Sequence, residues 1–209
     1  MTGGPALDAG IGFSLRVPPN WFELDVHPAT REASVRDLVR DRIAQVPELQ
    51  ERRREITKLL SDQAARSWDA GAVYCAGMAE PVEDGVLPAS VTVFLLPGPL
   101  GASSDEPDRT AALLPMLTPK EPKDDDDTWT KVRVFDLEGC GQAVRTYGIE
   151  DVEPEPGKPI RIASMQTFVP VPDVNRVLLV SCSSPAFALA EGLFDLFDAL
   201  TGTLRLHDS

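Results

Sequence analysis

The side chains that could support catalysis are few in this sequence, and their spacing is not catalytic. The histidines are His27 and His207, and a serine nucleophile commonly needs a histidine beside it as a base. No Gly-x-Ser-x-Gly turn is present to hold such a serine in the exposed, strained position that a hydrolase requires. We therefore predict no catalytic residue and a protein that is not an enzyme.

The cysteines and glycines do not form a cofactor or zinc motif. Cys75, Cys140 and Cys182 occur without Cys-x-x-Cys or Cys/His spacing, so they are predicted to be buried free thiols in a reducing compartment. Gly139-Cys140-Gly141 offers Gly-x-Gly, but position 144 is valine and no helix is predicted to follow. No phosphate-binding glycine loop occurs either, and no cofactor is predicted.

A run of four carboxylates could attract a cation or a protein partner. Consecutive carboxylates cannot all converge on one ion, and the spaced acidic positions of a calcium loop are missing. We predict no metal site here, but a solvated loop that ends close to Trp129, which we expect to be exposed. An exposed tryptophan marks an interface. The residues of this first candidate surface are Asp124, Asp125, Asp126, Asp127 and Trp129.

The last predicted helix carries a second acidic candidate. Glu191, Asp195 and Asp198 fall at positions i, i+4 and i+7, which places the three carboxylates on one stripe. Such a stripe is either a solvated helix face or a surface on which a cationic partner docks. Both interpretations stay open from the sequence.

Composition limits the class of partner. The 209 residues are 43% hydrophobic and 25% charged, with a net charge of −13, so the chain can bury a core but repels phosphate backbones and anionic lipid. We predict no nucleic-acid and no membrane partner. No secretory leader or 20-residue apolar segment is evident, and a cytoplasmic location is predicted.

Hydrophobic periodicity predicts one α+β domain over residues 1–209. Alternation predicts strands at 12–17, 132–137, 143–147, 160–169 and 176–182, and a hairpin formed by 72–79 and 86–96. Helical spacing predicts either two helices or one helix bent at Val46 between 29 and 71, a short helix at 108–117, and a terminal helix that begins at Ser183-Ser184-Pro185. Mobile loops are predicted near 97–108, 118–128 and 151–159. Strands joined by hairpin-length turns indicate a central antiparallel sheet packed by helices.

Two segments carry a family resemblance. The stretch Gly12-Phe13-Ser14-Leu15-Arg16-Val17-Pro18 with Asn20-Trp21 resembles the start of Mog1/PsbP-like domains, in which a Phe-x-Leu-x-Val-Pro strand turns into a tryptophan. The closing order of a strand at 178–182, the Ser-Ser-Pro start and an amphipathic helix is similar too. The helical region 29–70 and the acidic loop depart from that pattern.

The resemblance implies an αβα sandwich and a family of accessory and binding proteins. Their partner surfaces vary, so no functional residue carries over to this chain. The leading expectation is a non-enzymatic, cytoplasmic accessory module with an acidic surface for a protein partner, and a basic partner is the expected kind. One alternative is a small-molecule-binding protein or enzyme with a pocket between sheet and helices. The other is a self-associating structural subunit, a homodimer through the terminal helix with Phe187 and Phe194.

Overall fold

Ten strands and four α-helices are formed by the residues that the computed structural model describes, which are 3–7, 11–82, 85–99, 106–118, 127–155 and 157–208. The elements are β1 (Gly3–Leu7), β2 (Ile11–Ser14), β3 (Phe22–Glu23), α1 (Arg31–Gln45), α2 (Arg53–Asp69), β4 (Ala72–Val82), β5 (Gly85–Pro97), α3 (Glu106–Leu117), β6 (Trp129–Leu137), β7 (Gly141–Glu155), β8 (Lys158–Pro170), β9 (Arg176–Ser184), α4 (Ala190–Thr201) and β10 (Arg205–Asp208). No helix of these residues is long and apolar enough to cross a membrane.

Seven strands form the central sheet, in the order β3-β4-β5-β9-β8-β7-β6. Every neighbouring pair in it is antiparallel, which confirms the predicted α+β class. The predicted hairpin is confirmed as β4 and β5, which are longer than expected. Gly85 at its turn has a φ of +139°, a conformation that glycine adopts without steric penalty.

Helices cover both faces of this sheet, as in the predicted sandwich. On one face, α4 and a small second sheet enclose a core that includes Phe13, Val91, Met165 and Phe197. On the other face, α1 and α2 pack over the β4 edge around Cys75. A separate cluster on that face places Leu113 of α3 on β7, β8 and β9, where it meets Val144, Phe168 and Val177.

The bend before Pro47 is confirmed. The ring of Pro47 disfavours helical dihedrals at Val46, whose φ and ψ are −132° and 82°. Chain direction changes there through a short 3₁₀ helix, Pro47–Arg52, before α2 begins. Gly71 ends α2 with a φ of +86° and donates its N–H to the carbonyl oxygen of Trp68.

The two ends of the chain build a second sheet that the sequence analysis does not predict. Strand β2 lies between β1 and β10, and Phe13 pairs with Leu206. The strand predicted at 12–17 stops at Ser14, because the backbone of Arg16 bonds the Thr203 hydroxyl instead of a neighbouring strand. Leu15 is nevertheless buried, as alternation predicts.

Two further predictions are compared with the structure. The segment 151–159 is predicted to be a mobile loop or a wide hairpin tip, and its described residues follow the second alternative, since β7 and β8 pair out to Glu155 and Lys158. The terminal helix does not begin at Ser183-Ser184-Pro185: Ser184 still belongs to β9, and its hydroxyl donates to the carbonyl oxygen of Pro88. A 3₁₀ turn at Phe187–Leu189 then leads into α4 at Ala190.

Candidate functional site

Helix α4 is held on the central sheet by a narrow apolar stripe. Leu193, Phe197 and Leu200 are buried and fall at i, i+4 and i+7, so a single face of the helix supplies the contacts. The rest of the helix faces outward or sideways. Consequently α4 divides this face of the sheet into a β4–β5 side and a β6–β7 side.

An open groove runs along the β4–β5 side of α4. Its volume is about 500 Å³, and Leu189, which is 54% exposed, stands at its end. Glu191 is the sole ionisable residue among those that line it. The lining residues are Met78, Leu87, Ala188, Leu189, Glu191, Gly192, Leu193 and Leu196. We call this feature the α4 groove.

A smaller groove continues along the same helix toward its end. It measures about 270 Å³ and shares Leu196 with the α4 groove. The helix meets the segment after β2 there, through Val17 and Pro18. The two grooves leave Leu196 accessible from both sides, so apolar surface of α4 is available along most of its length.

The three carboxylates predicted to form an acidic stripe on α4 differ in whether they have partners within the chain. Glu191 and Asp195 are exposed, and no described residue forms an ion pair or hydrogen bond with either side chain. Asp198 instead accepts hydrogen bonds from Arg133, at 3.1 Å, and from Arg145. Of the three predicted carboxylates, Glu191 and Asp195 are thus the two available to a partner, whereas Asp198 is engaged within the chain.

Arg145 is a buried charged residue that the sequence analysis did not single out. It is fully buried beneath α4, where its guanidinium donates to the hydroxyls of Thr167, at 2.9 Å, and Thr201, at 2.6 Å. It also lies 4.4 Å over the ring of Phe135. The sequence contained a signal of this burial: period-two alternation places Arg145 on the same strand face as Ala143 and Tyr147, which is an apolar face.

Burial and pairing act on Arg145 in opposite directions. Loss of water around the guanidinium lowers its pKa, while the hydrogen bond and charge of Asp198 raise it. Arg133 lies directly opposite Arg145 on the neighbouring strand, and like charges in that position repel. Asp198 relieves this repulsion, so the group of Arg133, Arg145 and Asp198 fixes α4 to β6 and β7 rather than forming a reaction centre.

Trp129 lies in a cluster of three rings on the β6–β7 side of α4. It is half-buried and meets Tyr147 and Phe194 edge to face, with ring centroids 5.9 and 5.7 Å away. The Lys131 ammonium stands 5.2 Å from the Trp129 ring. Phe194 is half-buried in this cluster and Phe187 is 41% exposed, and the dimer face predicted from these two rings stays a prediction.

The acidic run falls largely outside the described residues. Asp124, Asp125 and Asp126 lie there, so the predicted surface is described only at Asp127 and Trp129. The exposed Asp127 carboxylate forms an ion pair of 3.1 Å with Arg161 of β8. Trp129 and Asp127 therefore have contacts within the chain, and the α4 groove with Glu191 and Asp195 is the candidate site.

The groups that could be nucleophiles or metal ligands are not assembled into a site. Cys75, Cys140 and Cys182 are buried free thiols, as predicted, and burial raises the pKa of the Cys182 thiol to about 12. His27 is exposed and rests 5.1 Å from the ring of Trp68. Within the described part of the chain, no three His, Cys, Asp or Glu side chains are placed to hold a metal ion. The described residues that line the α4 groove include no histidine and no cysteine.

The buried thiol predicts a loss of stability in alkali. The pKa of the Cys182 thiol in the folded protein lies above its ordinary value of 9. The protonated thiol therefore does not affect the pH dependence of the free energy of unfolding below pH 9, and its stabilising contribution is lost as the pH rises toward 12. Between pH 8 and pH 10 we expect the free energy of unfolding to fall by about 1 kcal/mol on account of this thiol. Urea titrations at both pH values measure the change. An unchanged pH dependence in Cys182→Ala would contradict the assignment.

Comparisons with known proteins give a fold likeness without a family. No protein-family model and no curated protein matches the sequence. A solved structure, that of LpqN, involved in cell envelope biogenesis of Mycobacterium tuberculosis, resembles the chain with a TM-score of 0.49 and 12% identity. The likeness covers 98% of this chain and 89% of that one. We base no functional conclusion on a likeness at this level.

Proposed function

We propose that this chain is a non-enzymatic accessory module of the Mog1/PsbP-like kind, which binds a basic, amphipathic segment of a protein partner in the α4 groove. The observation that carries the proposal is an open apolar groove lined in part by Glu191, with Asp195 one turn further along α4. Neither carboxylate has a partner among the described residues. A cytoplasmic setting is part of the proposal, since buried reduced thiols suit a reducing compartment.

The chemistry of the groove suits a helix or turn that combines leucine-like and lysine-like side chains. Leu189 and Leu196 would pack against the apolar side chains of the partner. Glu191 and Asp195 would attract its cations and set its orientation, which contributes more to association rate and specificity than to affinity. A ligand pocket usually adds several convergent polar groups, and Glu191 alone is ionisable here, so a protein segment fits better than a small molecule.

A designed peptide and three variants test the groove. The probe is a fluorescein-labelled 14-residue helical peptide of leucine and lysine at i, i+3, i+4 spacing, and its binding is followed by fluorescence anisotropy. The first variant is Gly192→Leu, because a Cβ at Gly192 meets no atom within 4 Å and the larger side chain would fill the groove without disturbing the fold. The second is Glu191→Lys/Asp195→Lys, and the matched control is Glu48→Lys/Glu51→Lys on the exposed 3₁₀ helix.

We expect the groove variants to lose the peptide and the control to keep it. Exposed ion pairs contribute about 0.2–1 kcal/mol each, so the double charge reversal should weaken binding about five- to tenfold, and added salt should weaken the wild type similarly. Tagged wild type and the same variants then identify the cellular partner by co-purification. Equal peptide binding by Gly192→Leu and wild type would refute the proposal, and a concentration-dependent dimer that Gly192→Leu abolishes would favour self-association through Leu189 and Phe187.

A further inference from the structure

Strand β6 is a long, regular edge of the central sheet. It has nine residues, Trp129–Leu137, and no described strand pairs with its outer side. Its register with β7 is regular along its length, without a bulge, and it contains no proline. The opposite edge, β3, has only two residues. Edge strands are usually kept short, bulged, interrupted by proline or charged to prevent pairing, and of these features β6 has only charge, on Lys131 and Arg133.

Two successive cations, flanked by aromatic rings, lie along one side of β6. Trp129, Lys131, Arg133 and Phe135 share the face toward α4, by the period-two rule. Lys131 forms no ion pair with a described residue, and its contact is the Trp129 ring. Arg133 and Arg145 share the single carboxylate of Asp198. Three cations against one carboxylate leave this edge locally positive in a chain of net charge −13.

The charge pattern disfavours a second copy of the chain paired about the middle of this edge. A two-fold axis at Val132 would place Lys131 opposite Arg133 of the other copy. An axis at Arg133 would place that side chain opposite itself. Like charges directly opposite each other on antiparallel strands are destabilising. The same positions would suit a strand with carboxylates at alternate residues.

The geometry points to a strand-addition site: β6 accepts an extended acidic segment of another protein as an eighth strand of the sheet. Main-chain hydrogen bonds supply affinity that is independent of sequence, and carboxylates opposite Lys131 and Arg133 supply specificity. This site lies on the β6–β7 side of α4, away from the α4 groove, and it does not depend on the proposed function. A partner could occupy either surface alone.

Four nine-residue labelled peptides test the edge. The first alternates threonine and glutamate, and the second alternates threonine and lysine. The third and fourth are the acidic peptide with N-methyl groups on every second amide, so that one edge of each cannot donate; together they cover both orientations. Binding is followed by fluorescence anisotropy, and hydrogen exchange of the β6 amides is measured with and without the acidic peptide.

We expect the acidic peptide to bind and to slow exchange within β6, and one N-methylated version to bind at least tenfold more weakly. Lys131→Gln should weaken the acidic peptide about two- to fivefold, the range of an exposed ion pair. The control Lys58→Gln, which removes the same charge from the exposed face of α2, should not. Lys131 is exposed, so both variants are expected to fold, which circular dichroism checks.

Several results would overturn the strand-addition site. If the lysine peptide binds as tightly as the acidic peptide, charge does not determine recognition. If both N-methylated versions bind as tightly as the unmodified peptide, main-chain hydrogen bonds do not hold the peptide. Unchanged exchange in β6 with the peptide bound would place the peptide elsewhere. Protection of β6 in the protein alone, with a doubled mass in solution, would show that a second copy occupies the edge. None of these results bears on the α4 groove.

Discussion

Replacing Asp198 with alanine is expected to lower the free energy of unfolding by about 3 kcal/mol. The substitution leaves the fully buried guanidinium of Arg145 without its carboxylate, and removal of one partner of a buried ion pair typically costs about 3–5 kcal/mol. The lower end applies because the Asp198 side chain is itself 56% exposed. Removing a negative charge from the last turns of a helix returns about 0.3–1 kcal/mol at most, too little to cancel the loss.

The neighbouring carboxylate on α4 provides the control. Asp195 is exposed and has no described partner, so Asp195→Ala should change stability by no more than about 0.5 kcal/mol. The double variant Arg145→Met/Asp198→Ala should be more stable than Asp198→Ala alone, because it removes the stranded charge. Urea denaturation followed by circular dichroism measures all three. Similar values for Asp198→Ala and Asp195→Ala would show that the buried arginine does not depend on this carboxylate.

Gly148→Ala is expected to destabilise the β6 edge by about 2 kcal/mol. A Cβ at this buried position would run into the carbonyl oxygen of Trp129 and lie 2.9 Å from the Cα of Thr130. Both obstacles are backbone atoms of β6, so the strand itself must move. Overpacking of this kind costs about 1–3 kcal/mol, and displacement of Trp129 from Tyr147 and Phe194 adds to it. The emission of Trp129 should shift accordingly, in a Trp21→Phe/Trp68→Phe background that isolates it.

A second glycine separates this steric effect from a general response to alanine. Gly192 lies within α4, and a Cβ there meets nothing within 4 Å. Alanine is the better helix former by about 0.8–1 kcal/mol, so Gly192→Ala should be stabilising. Thermal unfolding of the two variants should therefore move in opposite directions. If Gly148→Ala unfolds at the same temperature as the wild type, β6 can move away from β7 at this point without loss of stability, which would contradict the prediction.

Local patterns were sufficient to predict much of the sheet and its helices. Period-two alternation around Val91 and Leu178 determines the strands locally, and Pro47 determines the backbone of the residue before it. The α+β class, the β4–β5 hairpin and the helix bend could therefore be predicted from the sequence. The helix start at Ser184 failed for a non-local reason. Its hydroxyl donates to Pro88, which is 96 residues away in the chain, and no local capping rule contains that contact.

The candidate site was predictable in composition but not in its connections. Spacing alone places Glu191, Asp195 and Asp198 on one side of a helix, yet it cannot distinguish the carboxylate that two arginines bind from those that stay free. Arg145 lies 53 residues from Asp198. The α4 groove is likewise invisible to spacing, because Met78 and Leu87 belong to a hairpin more than a hundred residues before α4. Residue types and their spacing are local properties that the sequence shows, whereas the contacts between these side chains join distant parts of the chain.

The order of strands in the central sheet has a consequence for biosynthesis. Strand β5 pairs with β9, and the contact between Ser90 and Ser183 spans 93 residues. During translation the β4–β5 hairpin and the β6–β7–β8 meander can form as they emerge, but each has an open hydrophobic edge until β9 joins them. Arg16 and Thr203 meet later still, across 187 residues. A ribosome that pauses before β9 is completed would thus hold a nascent chain with two exposed half-sheets, which is the state that chaperones recognise.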